Sequence, residues 1–301
     1  MKSRSQYALL LAALFGPGGC GTQPAPVATG SSGAAAAGPL RLVAVERVYG
    51  DLASQIGGTA VTVTTILNSP SADPHAYEPS TGDANAVAAA DIVIENGLGY
   101  DAFADKLTAA SPKSGRTVIN VGALGGHSVG DNPHVWYEAS TLQRFLRGLT
   151  ADLAMRDPKR RATFERQRDA LLAWTAQFAA RVRSVGAKHP GVRVAITEPV
   201  FDYVLHAAGL VIATPVSFSH AIEEGNDPAP QDVDAMRSLL ASRSVAAFVY
   251  NRQTVEPSTE RLLAVAQTAH VPVVPVTETL PAGETTQSWI DGEVAALDRA
   301  L

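Results

Sequence analysis

"RDPKRRATFERQRDALLAWTAQFAARVRSVG", residues 156–186, divides the chain. Asp157 stands as an N-cap, Pro158 as a first helical residue and Gly186 as a stop. Between them Phe164, Leu171, Leu172, Trp174 and Phe178 recur at roughly helical spacing, which predicts one helix over residues 157–185. About 27 residues at 1.5 Å each make a rod of roughly 40 Å. A single rod between two bodies permits less hinge motion than paired strand linkers.

On both sides of this helix, short β-branched runs alternate with longer amphipathic ones. Before it, strands are predicted at Arg41–Val45, Val61–Ile66, Asp91–Ile94 and Thr117–Val121, with helices near Gly50–Ile56, Asp83–Ala89 and Tyr100–Ala110. After it, strands are predicted at Arg193–Ile196, Val211–Pro215, Val245–Tyr250 and Val273–Val276. Helices follow near Phe201–Ala208, Pro230–Ser242, Ser258–Ala269 and Ser288–Leu301. The expected fold is α/β: two βα lobes with parallel-rich sheets, residues 40–156 and 186–301, joined by one long backbone helix.

The chain ahead of Leu40 belongs to neither lobe. Lys2 and Arg4 precede an apolar run, Tyr7–Phe15, that ends in Gly18, Gly19 and Cys20, the pattern of a secretory signal over residues 1–20. Cys20 is the sole cysteine, so no internal disulfide is available, and its place after a short apolar run resembles the lipidation site of bacterial lipoproteins. Residues 21–39 are small, uncharged and rich in Pro, Gly and Ser, which reads as a flexible tether. No later segment is long and uncharged enough to span a bilayer. With 24 basic and 29 acidic residues, the formal charge of −5 leaves no basic stripe for a phosphate backbone, so nucleic acid is not an expected partner.

The chain has only seven histidines, and two stand in near-repeated phrases, "DPHAYEPS" at 73–80 and "NPHVWYEAS" at 132–140. A proline before each of His75 and His134 stiffens a loop that must present one nitrogen accurately. Both loops follow strands of the first lobe. In the second lobe, Glu198 directly follows "VAIT" and Glu278 follows "VPVVPVT". All four residues lie beyond carboxyl ends of strands, where α/β sheets form ligand sites. Imidazoles and carboxylates suit first-row divalent ions, and the lack of usable thiols argues against a cysteine-type structural zinc site. The residues alone leave other readings open. Glu198 before Pro199 also suits a helix-entry charge, Glu278 in "TETLP" a surface carboxylate, and each histidine a solvated loop. Glu46, at the end of the first strand, reads as a helix-entry charge or as an acceptor orienting an imidazole. His220 falls in "SFSHAIEEGNDPAP", which reads as a surface loop, and His127, His189, His206 and His270 receive no metal role.

The order of a signal with Cys20, "YGDLASQIGG" at 49–58, "DPHAYEPS", "ADIVIENGLGYDAF" at 90–103, "DNPHVWYEAS", a long helix, and "TEPVFDYVLHAAGL" at 197–210 resembles the metal-binding solute-binding lipoproteins of ABC importers, cluster A-I. The resemblance implies one divalent transition metal, Zn2+ or Mn2+, held between the lobes by His75, His134, Glu198 and Glu278. At the last position the family usually carries aspartate. It further implies a monomer exported to the periplasm or anchored by Cys20 on the outer face of the cytoplasmic membrane. Its partner would be a cognate permease with its ATPase. Members of the family with a preference for zinc often carry a histidine-rich insert, and the corresponding loop here holds only His127. Two other readings are a surface adhesin or organic-solute binder, and a zinc-dependent hydrolase. The latter lacks an HExxH segment and a general base beside the candidate ligands. A non-enzymatic role is expected.

Overall fold

The computed structural model describes residues 38–68 and 77–301. His75 and Cys20 lie outside the described residues, as do the signal and nearly all of the tether. The first lobe runs β1 (Leu40–Glu46), α1 (Arg47–Gly57), β2 (Val61–Leu67), α2 (Thr81–Ala89), β3 (Ile92–Glu95), α3 (Ala102–Ala110), β4 (Thr117–Asn120) and α4 (Val121–Gly125). Two helices follow, α5 (Ala139–Arg156) and α6 (Arg161–Lys188). The second lobe runs β5 (Arg193–Ile196), α7 (Asp202–Ala207), β6 (Val211–Ile212), α8 (Val216–Glu223), α9 (Pro230–Ala241), β7 (Ala247–Asn251), α10 (Pro257–Thr268), β8 (Val273–Val276) and α11 (Thr286–Ala300).

Each lobe holds a four-stranded, wholly parallel sheet, in the orders β2-β1-β3-β4 and β6-β5-β7-β8. The central strands β1, β3, β5 and β7 are buried along nearly their whole length, as helices on both faces require, so their sequences read as continuous apolar runs. Strand β6 is shorter than the predicted Val211–Pro215. Beyond Ile212 the Thr214 hydroxyl takes over the ladder, accepting from Ile196 N at 2.8 Å, and Pro215 leads into α8.

Helix α6 has 28 residues. It starts later than predicted, because Pro158–Arg160 forms a single 3-10 turn, and it continues past Gly186 to Lys188. Gly186 is therefore not a stop. A Cβ there would meet the Ala208 carbonyl oxygen at 2.0 Å, so glycine lets the end of α6 lie against the segment after α7. Phe164, Leu171, Trp174, Phe178, Val182 and Val185 bury one face of α6 in a core containing Leu42, Ile92 and Phe145 from one lobe and Ile196, Val249 and Leu297 from the other. The rod is thus the spine of one continuous core rather than a bare connector. The sequence-based expectations contain no counterpart to α4, α5 or α8. The 18 residues of α5 pack along α6, and α8 occupies the stretch expected to be a surface loop.

Candidate functional site

In the first lobe the site is built on two turns. After β3, Gly97, Leu98 and Gly99 all take left-handed backbone conformations, with φ of 79°, 62° and 89°. The Asp101 carboxylate closes this turn by accepting from Asn96 N at 2.7 Å and Gly97 N at 2.8 Å. The turn delivers Tyr100 to the cleft, where its hydroxyl donates to Glu278 Oε1 of the other lobe at 2.7 Å. Asn96 also donates to the Pro133 carbonyl at 3.0 Å, fixing the second turn, which carries His134. His134 is fully buried, with the rings of Trp136 and Tyr100 edge-on to it at 5.3 and 6.1 Å. Its backbone N–H donates to Asn132 Oδ1 at 2.9 Å, and its Nδ1 lies 2.8 Å from the same oxygen.

In the second lobe Glu198 follows β5 and stands before a short 3-10 turn, yet its side chain makes no cap hydrogen bond. Instead Oε2 accepts from Asn251 Nδ2 at 2.7 Å and Thr254 Oγ1 at 3.3 Å, while Oε1 is buried with no hydrogen-bond partner among the described residues. Glu198 therefore does not cap the turn through its side chain. Glu278 is 9% exposed and is no surface carboxylate. Gln253 Oε1 receives the N–H groups of Glu278 and Thr279 at 2.7 and 2.9 Å, so the end of β7 and the segment after it position both glutamates.

Across the cleft, His134 Nε2 faces Glu278 Oε1 at 3.5 Å, and Nδ1 lies 3.8 Å from Glu223 Oε1 on α8. Nε2 is buried and makes no hydrogen bond with the described residues. Burial alone would lower the His134 pKa, but Glu278, with Glu223 and Glu198 beyond it, outweighs burial and holds it above the ordinary value. Burial pushes the Glu198 carboxyl up to about 7, against the pull of Asn251, and Asp202 up to about 6. The site thus gathers more acid than its protein neighbours neutralise, which is the condition a bound cation relieves.

Three of the four candidate ligands, His134, Glu198 and Glu278, converge on this cleft, and the fourth, His75, lies outside the described residues. Among the described residues, no three His, Cys, Asp or Glu side chains stand close enough together to hold a metal ion as they are. The Glu46 side chain makes no cap bond, and among the described residues both of its buried oxygens lack a hydrogen-bond donor. Burial, with the adjacent Asp101 carboxylate, drives its pKa well up. Sequence reasoning missed Asn132, Glu223, Asn251 and Gln253. "NRQT", which starts at the last residue of β7, offered the same strand-end signal that marked Glu198 and Glu278.

The family model described as ZnuA, zinc-uptake complex component A, periplasmic, matches residues 42–300. The manganese-binding lipoprotein MntA of Halalkalibacterium halodurans is 27% identical over 155 residues, which cover 50% of this chain and 49% of that protein. The chain thus spans about half the length of the first curated relatives it matches. Among solved structures, the solute-binding protein FpvC of Pseudomonas aeruginosa in complex with Mn2+ aligns with a TM-score of 0.71 at 22% identity, covering 87% of this chain and 98% of that one. The periplasmic zinc-binding protein TroA of Treponema pallidum aligns with a TM-score of 0.71 at 19% identity, covering 88% and 99%. At these identities the structures establish a shared fold. Among the described residues no helix is long and apolar enough to cross a membrane. With a family model matched from the first strand to the last helix, the chain belongs to the family of zinc-uptake complex component A.

Proposed function

We propose that the protein captures one divalent transition metal, Zn2+ or Mn2+, between its lobes and delivers it to an ABC permease served by an ATPase. The metal is cargo and the protein is not an enzyme. The observation that carries this reading is the buried, unpartnered Nε2 of His134 facing a carboxylate of the opposite lobe at 3.5 Å. An imidazole nitrogen that makes no hydrogen bond with the described residues, set among carboxylates and closed off by Trp136 and Tyr100, suits a first-row cation. The ligands are His75, His134, Glu198 and Glu278. The relatives whose names record manganese or zinc binding support the same cargo class.

The same reading divides the chain into lobes at 40–156 and 186–301 around the helix, with a signal over 1–20. The protein is exported as a monomer, either held on the outer face of the cytoplasmic membrane by a lipid on Cys20 or free in the periplasm. Calorimetry on chelator-stripped protein tests the central claim. Zn2+ and Mn2+ are expected to bind one to one, and binding is expected to be lost in His134→Ala and Glu278→Ala. Absence of binding by the unaltered protein overturns the reading.

A further inference from the structure

We infer that Asn132 is a positioning residue: it fixes His134 as an Nε2 ligand and ties that ligand to the second lobe beside Glu198. The inference rests on the reading of His134 as a metal ligand and assigns the device that prepares it.

The orientation of the Asn132 amide is set from both sides by backbone groups of fixed character. Its oxygen receives the His134 N–H at 2.9 Å, and only an acceptor suits that donor. Its nitrogen lies 2.7 Å from the Pro199 carbonyl, and only a donor suits that oxygen. Oδ1 therefore faces His134 Nδ1 at 2.8 Å, so in the neutral ring Nδ1 carries the hydrogen and Nε2 holds the lone pair. Nε2 is the nitrogen left without a partner and turned to Glu278. Glu223 Oε1, 3.8 Å from Nδ1, is too far away to compete for the hydrogen.

The same residue is gripped by the second lobe twice. Besides the amide bond to Pro199, the residue next to Glu198, the Tyr203 hydroxyl donates to the Asn132 carbonyl at 2.8 Å. Separation of the lobes at this point breaks both bonds and frees the loop that aims His134. Asparagine alone of the small polar side chains serves both ends. Aspartate keeps the acceptor for Nδ1 but places an anion against the Pro199 carbonyl, and alanine serves neither.

The test uses the full chain with 15N-labelled histidine. Long-range 15N–1H spectra of the metal-stripped protein, recorded where His134 is neutral and assigned by His134→Ala, read the tautomer. Zn2+ release into excess chelator reads the tie between lobes. Unaltered protein is expected to show Nδ1–H. Asn132→Ala is expected to lose that preference, and Asn132→Asp to keep it while releasing Zn2+ about tenfold faster or more. Tyr203→Phe, which removes one hydroxyl, is expected to release faster with an unchanged tautomer. An unchanged tautomer in Asn132→Ala, or release at the original rate from both Asn132→Asp and Tyr203→Phe, overturns the inference. Should the unaltered protein bind no metal, the functional reading fails separately, while the tautomer still decides whether Asn132 sets the ring.

Discussion

Glu293→Gln should leave the protein as stable as before in mild acid and make it more stable above neutrality. Glu293, on α11, is 7% exposed and sits where the lobes meet. Its Oε1 accepts from Thr277 N at 2.8 Å and Trp289 Nε1 at 2.9 Å, and its Oε2 lies 2.5 Å from the Tyr137 hydroxyl of the first lobe. That hydroxyl also lies 2.7 Å from the Thr277 carbonyl, which only accepts. Every group is satisfied when Tyr137 gives its single hydrogen to Thr277 and Glu293 carries a proton on Oε2 for the Tyr137 oxygen. Burial works in the same direction, pushing the Glu293 pKa from 4.5 up to about 7.

The sign of the pH effect follows from that shift. A carboxyl whose folded pKa is raised binds its proton more tightly in the native state than in the unfolded chain. The stabilisation is complete below the unfolded value of 4.5 and is lost as pH rises through about 7. A shift of this size corresponds to roughly 3 kcal/mol. Glutamine reproduces the protonated acid, with Oε1 accepting as before and its amide donating to Tyr137. Urea unfolding of chelator-stripped protein at pH 4 and pH 8 should give nearly equal stabilities at the lower pH. At the higher pH the glutamine variant should gain up to about 3 kcal/mol. A variant weaker than the parent at pH 8 refutes the reasoning, since it would mean an ionised Glu293 held by charge-assisted bonds.

Gly186→Ala should cost about 2 kcal/mol or more, because the new methyl meets the Ala208 carbonyl oxygen at 2.0 Å, and the gain in helix propensity of about 1 kcal/mol does not offset it; an unchanged melting temperature contradicts this. Phe178→Ala, at a position 1% exposed on the face of α6 shared by both lobes, should cost about 3–5 kcal/mol and lower the midpoint of a single transition. Two separate transitions in that variant would contradict the continuous core. Zn2+ affinity should fall as pH drops from 8 to 6, because His134, held above its ordinary value, and Glu198, near 7, must both release protons to the metal. Calorimetry at the two pH values checks this, and equal affinities refute it.

The sheets were legible because parallel strands covered on both faces spell themselves as apolar runs such as "LVAVE" and "IVIE". The long helix was legible from its periodicity, while its end was not. Gly186 carries the usual mark of a stop, and only the Ala208 carbonyl explains a glycine inside the helix. Helix α5 was within reach, since Leu142, Phe145, Leu146, Leu149 and Leu153 keep helical spacing on its buried face. Helix α8 was hidden by the turn-rich "EEGNDPAP" that begins within its last turn. His134, Glu198 and Glu278 were singled out because they lie beyond strand ends, where α/β sheets form ligand sites. Asn132 and Glu223 were not, because their roles arise from contacts made across the cleft.

Diffraction from metal-loaded crystals at the zinc absorption edge tests the central claim most directly. The account predicts one anomalous peak between the lobes, about 2.0–2.2 Å from His134 Nε2 and from carboxylate oxygens of Glu198 and Glu278. A peak away from these residues, or none under saturating zinc, would contradict it.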